Sequence, residues 1–180
     1  MYYDDFYGGL MNLETIIRDV PDFPKKGIIF KDITTLLQDG EAFRLALNRM
    51  MKKYLDAKID KVMGIEARGF IFGGVLAYKL GCGFVPARKP GKLPYRTIRE
   101  EYTLEYGTNS LEIHDDSIAA GDRVLIVDDL LATGGTALAA AGLVEKLGGE
   151  VAGIEFLIEL GFLHGRDKLA KYPVHSLISY

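Results

Sequence analysis

Apolar residues recur along the chain in two periods, and their alternation sets the expected architecture. Gly27–Phe30, Lys61–Ile65, Phe84–Ala87, Arg123–Val127, Val151–Ile158 and Val174–Ile178 are short, nearly continuous apolar runs and predict strands. Helical spacing falls between them. Residues 41–55 carry Phe43, Leu47, Met50, Met51, Tyr54 and Leu55; Gly69–Leu80 is apolar; Thr136–Leu147 is closed by Gly148 and Gly149. Near the start, Asn12 is placed to cap a short helix carrying Leu13, Ile16, Ile17 and Val20, which Pro21 and Pro24 end. A further short helix is expected near Arg166–Ala170. Continuous apolar strands alternating with helices predict an α/β fold, a parallel twisted sheet flanked by helices. Ligands in such folds bind beyond the carboxyl ends of the strands. Lys89–Ser110 breaks the pattern, being rich in Pro, Gly, Tyr and charge. It is too polar for core and too long for a plain connection, so it predicts a hairpin or a mobile loop.

Composition narrows the function. The 180 residues suit one domain, and 48% apolar content suffices for a core. Residues 12–180 read as that domain and 1–11 as an N-terminal extension. A net charge of −3 leaves no basic footprint for nucleic acid. Cys82, the single cysteine, rules out an internal disulfide and reads as a small apolar residue beside a turn. The three histidines lack ligand spacing, so no protein-held zinc is expected. Met1–Leu10 has no apolar signal-peptide core, and the longest uncharged stretch, Leu130–Val144, is too short and polar to span a bilayer. A soluble, cytoplasmic protein without a membrane partner is expected.

The most informative segment runs from Val124 to Ala137. An apolar strand ends in Asp128 and Asp129, and a loop of small residues leads straight into a helix. Backbone N–H groups of such a loop, with the helix N-terminus, form an anion site. Thr133 and Thr136 add hydroxyl donors, and Gly134 and Gly135 let the backbone approach closely. No Lys stands in the Walker position, and no dinucleotide GxGxxG is present. Two carboxylates would repel a lone phosphate. They make sense when the ligand also carries hydroxyls and a bound Mg²⁺.

This segment resembles the PRPP-binding signature of type I phosphoribosyltransferases. The resemblance implies that Asp128 and Asp129 hold the ribose hydroxyls, and that Ala132, Thr133, Gly134, Gly135 and Thr136 hold the 5′-phosphate. It also implies Mg²⁺ carried mainly by PRPP or pyrophosphate, near the two aspartates and without a direct protein ligand. Ala132 stands where 6-oxopurine members usually carry Asp, and so looks like the adenine enzymes. Pro21–Ile33 resembles their base-binding segment, a hood over about 12–35. There Phe30 would stack on the purine, and the backbone of Ile29 and Lys31 would read its edge. Lys31 replaces the family's more usual Arg. Gly64–Phe70 resembles the pyrophosphate turn, with Arg68 as its cation and a cis peptide near Glu66–Ala67. Arg88 and Lys92 would add further pyrophosphate contacts, with Arg88 able to serve a neighbouring subunit. Tyr102–Gly107 resembles the flexible catalytic loop within 89–110, which makes Glu105 and Tyr106 catalytic candidates beside Arg68. Glu105 would act either as proton acceptor or as support for the sugar cation. Leu160 matches a position that closes the purine site.

The implied activity is purine salvage, forming AMP and pyrophosphate from adenine and PRPP in a homodimer. Two other readings stay open at this stage: a PRPP-binding regulator without turnover, and a phosphoribosyltransferase for another base. The first would bring a nucleic-acid-binding element, and the chain has no spare basic domain. Periodicity and composition by themselves stop at an α/β phosphate-binding domain.

Overall fold

The computed structural model describes residues 11–103 and 108–180. The chain divides into two compact units, Met1–Arg49 and Met50–Tyr180.

In the first unit Asn12 does act as a cap, its Oδ1 accepting the Glu14 N–H at 3.0 Å. The capped helix is only a single 3-10 turn, Leu13–Thr15. The expected helix then gives way to a strand, β1 (Arg18–Pro21), paired antiparallel with β2 (Ile29–Asp32). Two cross-strand ion pairs accompany the pairing. Arg18 meets Asp32 at 2.6 Å, and Lys31 meets Asp19 at 2.7 Å. Such pairs stabilise a two-stranded ribbon that local helical spacing does not foresee. A short helix that the periodicity missed, α1 (Thr34–Gln38), follows at once. Asp32 accepts the N–H and hydroxyl of Thr34 at 2.9 and 2.7 Å. Those bonds, with Arg18 behind them, hold the Asp32 carboxyl down at about 2. Asp39 Oδ1 caps α2 (Gly40–Met51) through the N–H groups of Glu41 and Ala42. The helical spacing expected to reach residue 55 tightens into a 3-10 turn over Lys52–Tyr54, leaving Leu55 exposed.

The second unit holds the expected parallel sheet. Its elements are β3 (Lys61–Ile65), α3 (Gly69–Leu80), β4 (Gly83–Ala87), β5 (Thr97–Thr103), β6 (Thr108–His114), β7 (Arg123–Leu131), α4 (Gly135–Lys146), β8 (Glu150–Glu159) and β9 (Val174–Ser179). Five strands run parallel in the order β4-β3-β7-β8-β9, flanked by helices. The polar segment expected over 89–110 overlaps two paired strands, β5 lying antiparallel to β6 from Thr97↔His114 to Thr103↔Thr108. Val124 to Val127 in β7 are all fully buried, as a central strand covered on both faces requires. Ala137, Ala140, Ala141, Leu143 and Val144 of α4 join Met63, Ile126, Ile154 and Phe156 in one core. The small alanine face lets α4 lie close to the sheet.

One polar cluster lies on the opposite face of the sheet, since Glu155 falls between Ile154 and Phe156 in β8. Glu155 of β8 is 0% exposed. Tyr54 Oη donates to its Oε2 at 2.9 Å, and His175 Nδ1 lies 2.8 Å from its Oε1. Burial lifts the Glu155 carboxyl from 4.5 to about 8, against the Tyr54 bond and the nearby Lys53 charge. Burial, then Lys53 and Arg166, press His175 below its usual 6.5. At neutral pH this is a protonated Glu155 donating to a neutral His175. An unfolded Glu titrates near 4.5, so between there and about 8 the native state binds the extra proton. Stability contributed by this group therefore falls as pH rises through that window. In Glu155→Gln both hydrogen bonds persist and the titration disappears. Calorimetry from roughly pH 6.5 to roughly pH 8.5 is expected to show the parent melting temperature falling more steeply than that of Glu155→Gln. Equal slopes would contradict the buried proton.

Candidate active site

The carboxyl end of β3 lies beside Val127 because the two strands pair in parallel, with Gly64 opposite Val127. The turn after β3 therefore faces Asp128 and Asp129, which lie within β7 and do not end it as the sequence suggested, because pairing with β8 carries the strand on to Leu131. Asp129 is 6% exposed and receives Arg68 Nε at 2.7 Å. Asp128 Oδ1 accepts the backbone N–H of Asp129 at 2.9 Å. Burial, and then the neighbouring Asp129 charge, push the Asp128 carboxyl well above the usual carboxylate range. Asp129 is also raised by burial, against the opposing pull of Arg68. Gly69, the first residue of α3, makes the approach possible. A Cβ there would stand 2.8 Å from Val127 O and 2.9 Å from Asp128 Oδ1.

Beyond β7, Ala132, Thr133 and Gly134 form the expected loop into α4. Gly134 takes φ 78°, a left-handed conformation that favours glycine. A cavity of about 60 Å³ opens here, lined by Asp128, Ala132, Thr133, Gly134, Thr136 and Phe156 among others. Gly135 begins the helix, and α4 is 12 residues long, so its N-terminus presents unsatisfied N–H groups and a partial positive charge. Leu160 follows β8, its N–H bonded to Leu131 O at 2.9 Å.

The third expected element is also assembled. The Glu66–Ala67 peptide is cis. The Glu66 carboxylate accepts from Lys92 Nζ, from Arg88 Nε at 3.2 Å and from the Lys89 N–H at 3.2 Å. Burial opposes the Glu66 charge, but these bonds outweigh it and hold the carboxyl below its usual range. Sequence reasoning missed this pairing: Arg88 and Lys92 are not free cations but partners of Glu66. It also missed Glu112. The backbones of Arg88 and Glu112 exchange bonds at 2.9 and 2.7 Å, and Glu112 Oε2 accepts the Gly91 N–H at 3.1 Å. A lone Glu in an alternating strand carries no signal for that role.

Ile29, Phe30 and Lys31 belong to the first unit, on β2. Phe30 packs edge to face with Phe23, ring centroids 5.3 Å apart, and the Lys31 side chain pairs with Asp19. Ile29 is exposed. Glu105 and Tyr106 lie outside the described residues. No helix among the described residues is long and apolar enough to cross a membrane.

A parallel sheet that delivers two acids, a glycine-threonine loop and a cationic turn at adjacent strand ends defines a phosphoribosyl transferase domain, and the model of that family matches residues 34–176. An adenine phosphoribosyltransferase of Alkaliphilus metalliredigens is 62% identical over 94% of this chain and 100% of its own length. The crystal structure of adenine phosphoribosyltransferase from Thermoanaerobacter pseudethanolicus superposes with a TM-score of 0.90 at 58% identity, covering 94% of this chain and 100% of that one. The Saccharomyces cerevisiae enzyme, solved with adenine and an iminoaltritol bisphosphate, gives 0.86 at 41% identity over 92% and 96% of the two chains. The chain belongs to the adenine phosphoribosyltransferase family.

The Arg68–Asp129 pair yields a direct expectation. Arg68→Ala strands a nearly buried carboxylate without its cation, at a cost of about 1–3 kcal/mol. Asp129→Asn in the same background is expected to recover part of that loss. Urea denaturation of the two variants reads both, and an unchanged midpoint in Arg68→Ala would contradict the pairing.

Proposed function

We propose that this chain forms AMP and pyrophosphate from adenine and PRPP, and that its residues share the work as follows. The bond from ribose C1′ to the pyrophosphate oxygen breaks, adenine N9 bonds to C1′, and N9 gives up its proton. Asp128 and Asp129 accept the ribose hydroxyls. The backbone from Ala132 to Thr136, with the Thr133 and Thr136 hydroxyls, holds the 5′-phosphate at the start of α4. Arg68, with Arg88, Lys92 and the Glu66–Ala67 turn, receives the departing diphosphate, chiefly as electrostatic stabilisation. Phe30 and the Ile29 and Lys31 backbone recognise adenine, and Leu160 closes on the purine. Glu105 and Tyr106 are assigned to the chemistry at C1′ and N9. The observation that carries the reading is the adjacent acid pair near the end of β7, separated from the phosphate loop that leads into the helix N-terminus only by Leu130 and Leu131. Phosphate alone has no use for two carboxylates, whereas a phosphorylated ribose does.

Mg²⁺ fits this site as a companion of the substrate. Asp128 and Asp129 are hard oxygen donors, but Asp129 already engages Arg68, and no group of three His, Cys, Asp or Glu gathers for a metal among the described residues. When bound it neutralises charge on the leaving diphosphate. A homodimer is supported by the outer side of α3, where Ile71 and Tyr78 are 39% and 86% exposed. Light scattering is expected to return twice the 19.9 kDa chain mass. Cytoplasmic residence suits substrates too highly charged to cross a bilayer.

One assay tests the reading: PRPP and Mg²⁺ with adenine, hypoxanthine, guanine, xanthine or orotate, following pyrophosphate release. Adenine is expected to exceed hypoxanthine by on the order of 10⁴ in kcat/KM, because a 6-oxo group would face a backbone acceptor in a desolvated site. Hypoxanthine within about tenfold of adenine, roughly 1.4 kcal/mol, would refute the base assignment. In the same assay Asp128→Asn and Asp129→Asn are each expected to raise the KM for PRPP, and unchanged kinetics in both would sink the ribose assignment.

A further inference from the structure

The phosphate loop does not hold its shape alone. A Cβ on Gly165 would stand 2.9 Å from both Ala132 C and Gly134 N, and closer still to Ala132 O. A Cβ on Gly134 would lie 3.1 Å from Gly165 C and closer still to Gly165 O. The two glycines interlock backbone against backbone, more tightly than any other described glycine meets its surroundings. The turn that carries Gly165 is anchored on every side. Leu160 N–H bonds Leu131 O at 2.9 Å, and Gly161 N–H bonds Tyr180 O at 2.8 Å. His164, next to Gly165, takes the left-handed φ of 51°. Arg166 grips the Glu159 carboxylate and donates to Val174 O at 2.8 Å and Ser176 Oγ at 3.3 Å.

We infer that Gly165 is a positioning residue for substrate phosphate: the turn over 160–166 is a mould that presses the Ala132–Gly134 backbone into the shape whose N–H groups receive the 5′-phosphate. This rests on the phosphate reading above and adds a second chain segment to it. The contact is between backbones, so its loss displaces N–H donors directly. A shift of about 1 Å in such donors is enough to cost up to on the order of 10² in efficiency. A purely structural role for Gly165 would lower stability and the folded fraction, and would leave the KM of the folded enzyme alone.

The full-length variant Gly165→Ala separates the two. The KM for PRPP and the Kd for ribose 5-phosphate are expected to rise together by about tenfold or more. The KM for adenine and kcat at saturating PRPP are expected to move by less than about threefold. Gly40→Ala, where an added Cβ has nothing within 4 Å, serves as the control. Should Gly165→Ala fail to fold, Arg166→Gln releases the same turn from Glu159 without adding atoms. It is expected to raise the PRPP KM several-fold, with Arg166→Lys restoring part of the loss. Ribose 5-phosphate and PRPP constants within about twofold of the parent, in a folded Gly165→Ala or failing that in Arg166→Gln, would overturn the inference. A parent that binds neither PRPP nor ribose 5-phosphate would instead overturn the phosphate reading, and this inference with it.

Discussion

Repulsion between Asp128 and Asp129 is the constraint around which the second unit is arranged. Burial disfavours both charges, and the Asp129 charge drives the Asp128 carboxyl further up. The fully apolar run of β7 leaves them no freedom to swing into solvent, since the strand is clamped between β3 and β8. Relief has to come from neighbouring elements. Parallel pairing sets the end of β3 beside Val127, so the turn after β3 supplies Arg68, and Gly69 lets the first turn of α3 come up against Val127 and Asp128. On the other side the Asp129 backbone itself donates to Asp128. A fold that keeps two carboxylates together at such expense implies a ligand that uses both.

The same economy governs the cations. Arg68 is paired with Asp129, and Arg88 and Lys92 with Glu66. Each of these half-exposed cations is paired with a protein carboxylate. On the proposed reading, diphosphate competes with two protein carboxylates for these donors, which keeps them oriented before the anion arrives. Arginine suits the arrangement because its fork can serve a carboxylate and a phosphate oxygen at once. Glu66 thus has a reason to sit at a turn proposed to receive an anion, where a bare carboxylate would be out of place.

Much of this was legible in the sequence, and the limits have physical causes. Strands β3, β7 and β8 announced themselves because central parallel strands are buried on both faces and read as continuous apolar runs, and the edge strands β4 and β9 keep a shorter apolar run. The loop from Ala132 to Thr136 was legible because glycine and threonine at a strand-to-helix junction have few other uses. The β1–β2 ribbon was not, since its stability lies in pairs such as Arg18–Asp32 that join residues far apart in sequence, whereas Asn12 and the apolar spacing after it speak for a local helix. Helix α1 is too short for periodicity to detect and starts on an Asp32 side-chain bond. Gly165 is the clearest case of silence. Nothing adjacent to it marks a functional glycine, because its neighbour in space, the 132–134 backbone, is supplied by another part of the chain.

Ala132 gains a second meaning from these constraints. Read as a sequence letter, it signals a purine without a 6-oxo group. In the structure it lines the same small cavity as Asp128, whose carboxyl burial and Asp129 already drive upward. A third carboxylate at 132 would add another like charge beside that pair. Its backbone is pinned against Gly165, so the loop could not open to carry the acid away. A methyl group adds no charge and no polar atom to satisfy. The partial charge at the start of α4 and the two threonine hydroxyls are the groups the loop is proposed to turn toward the phosphate.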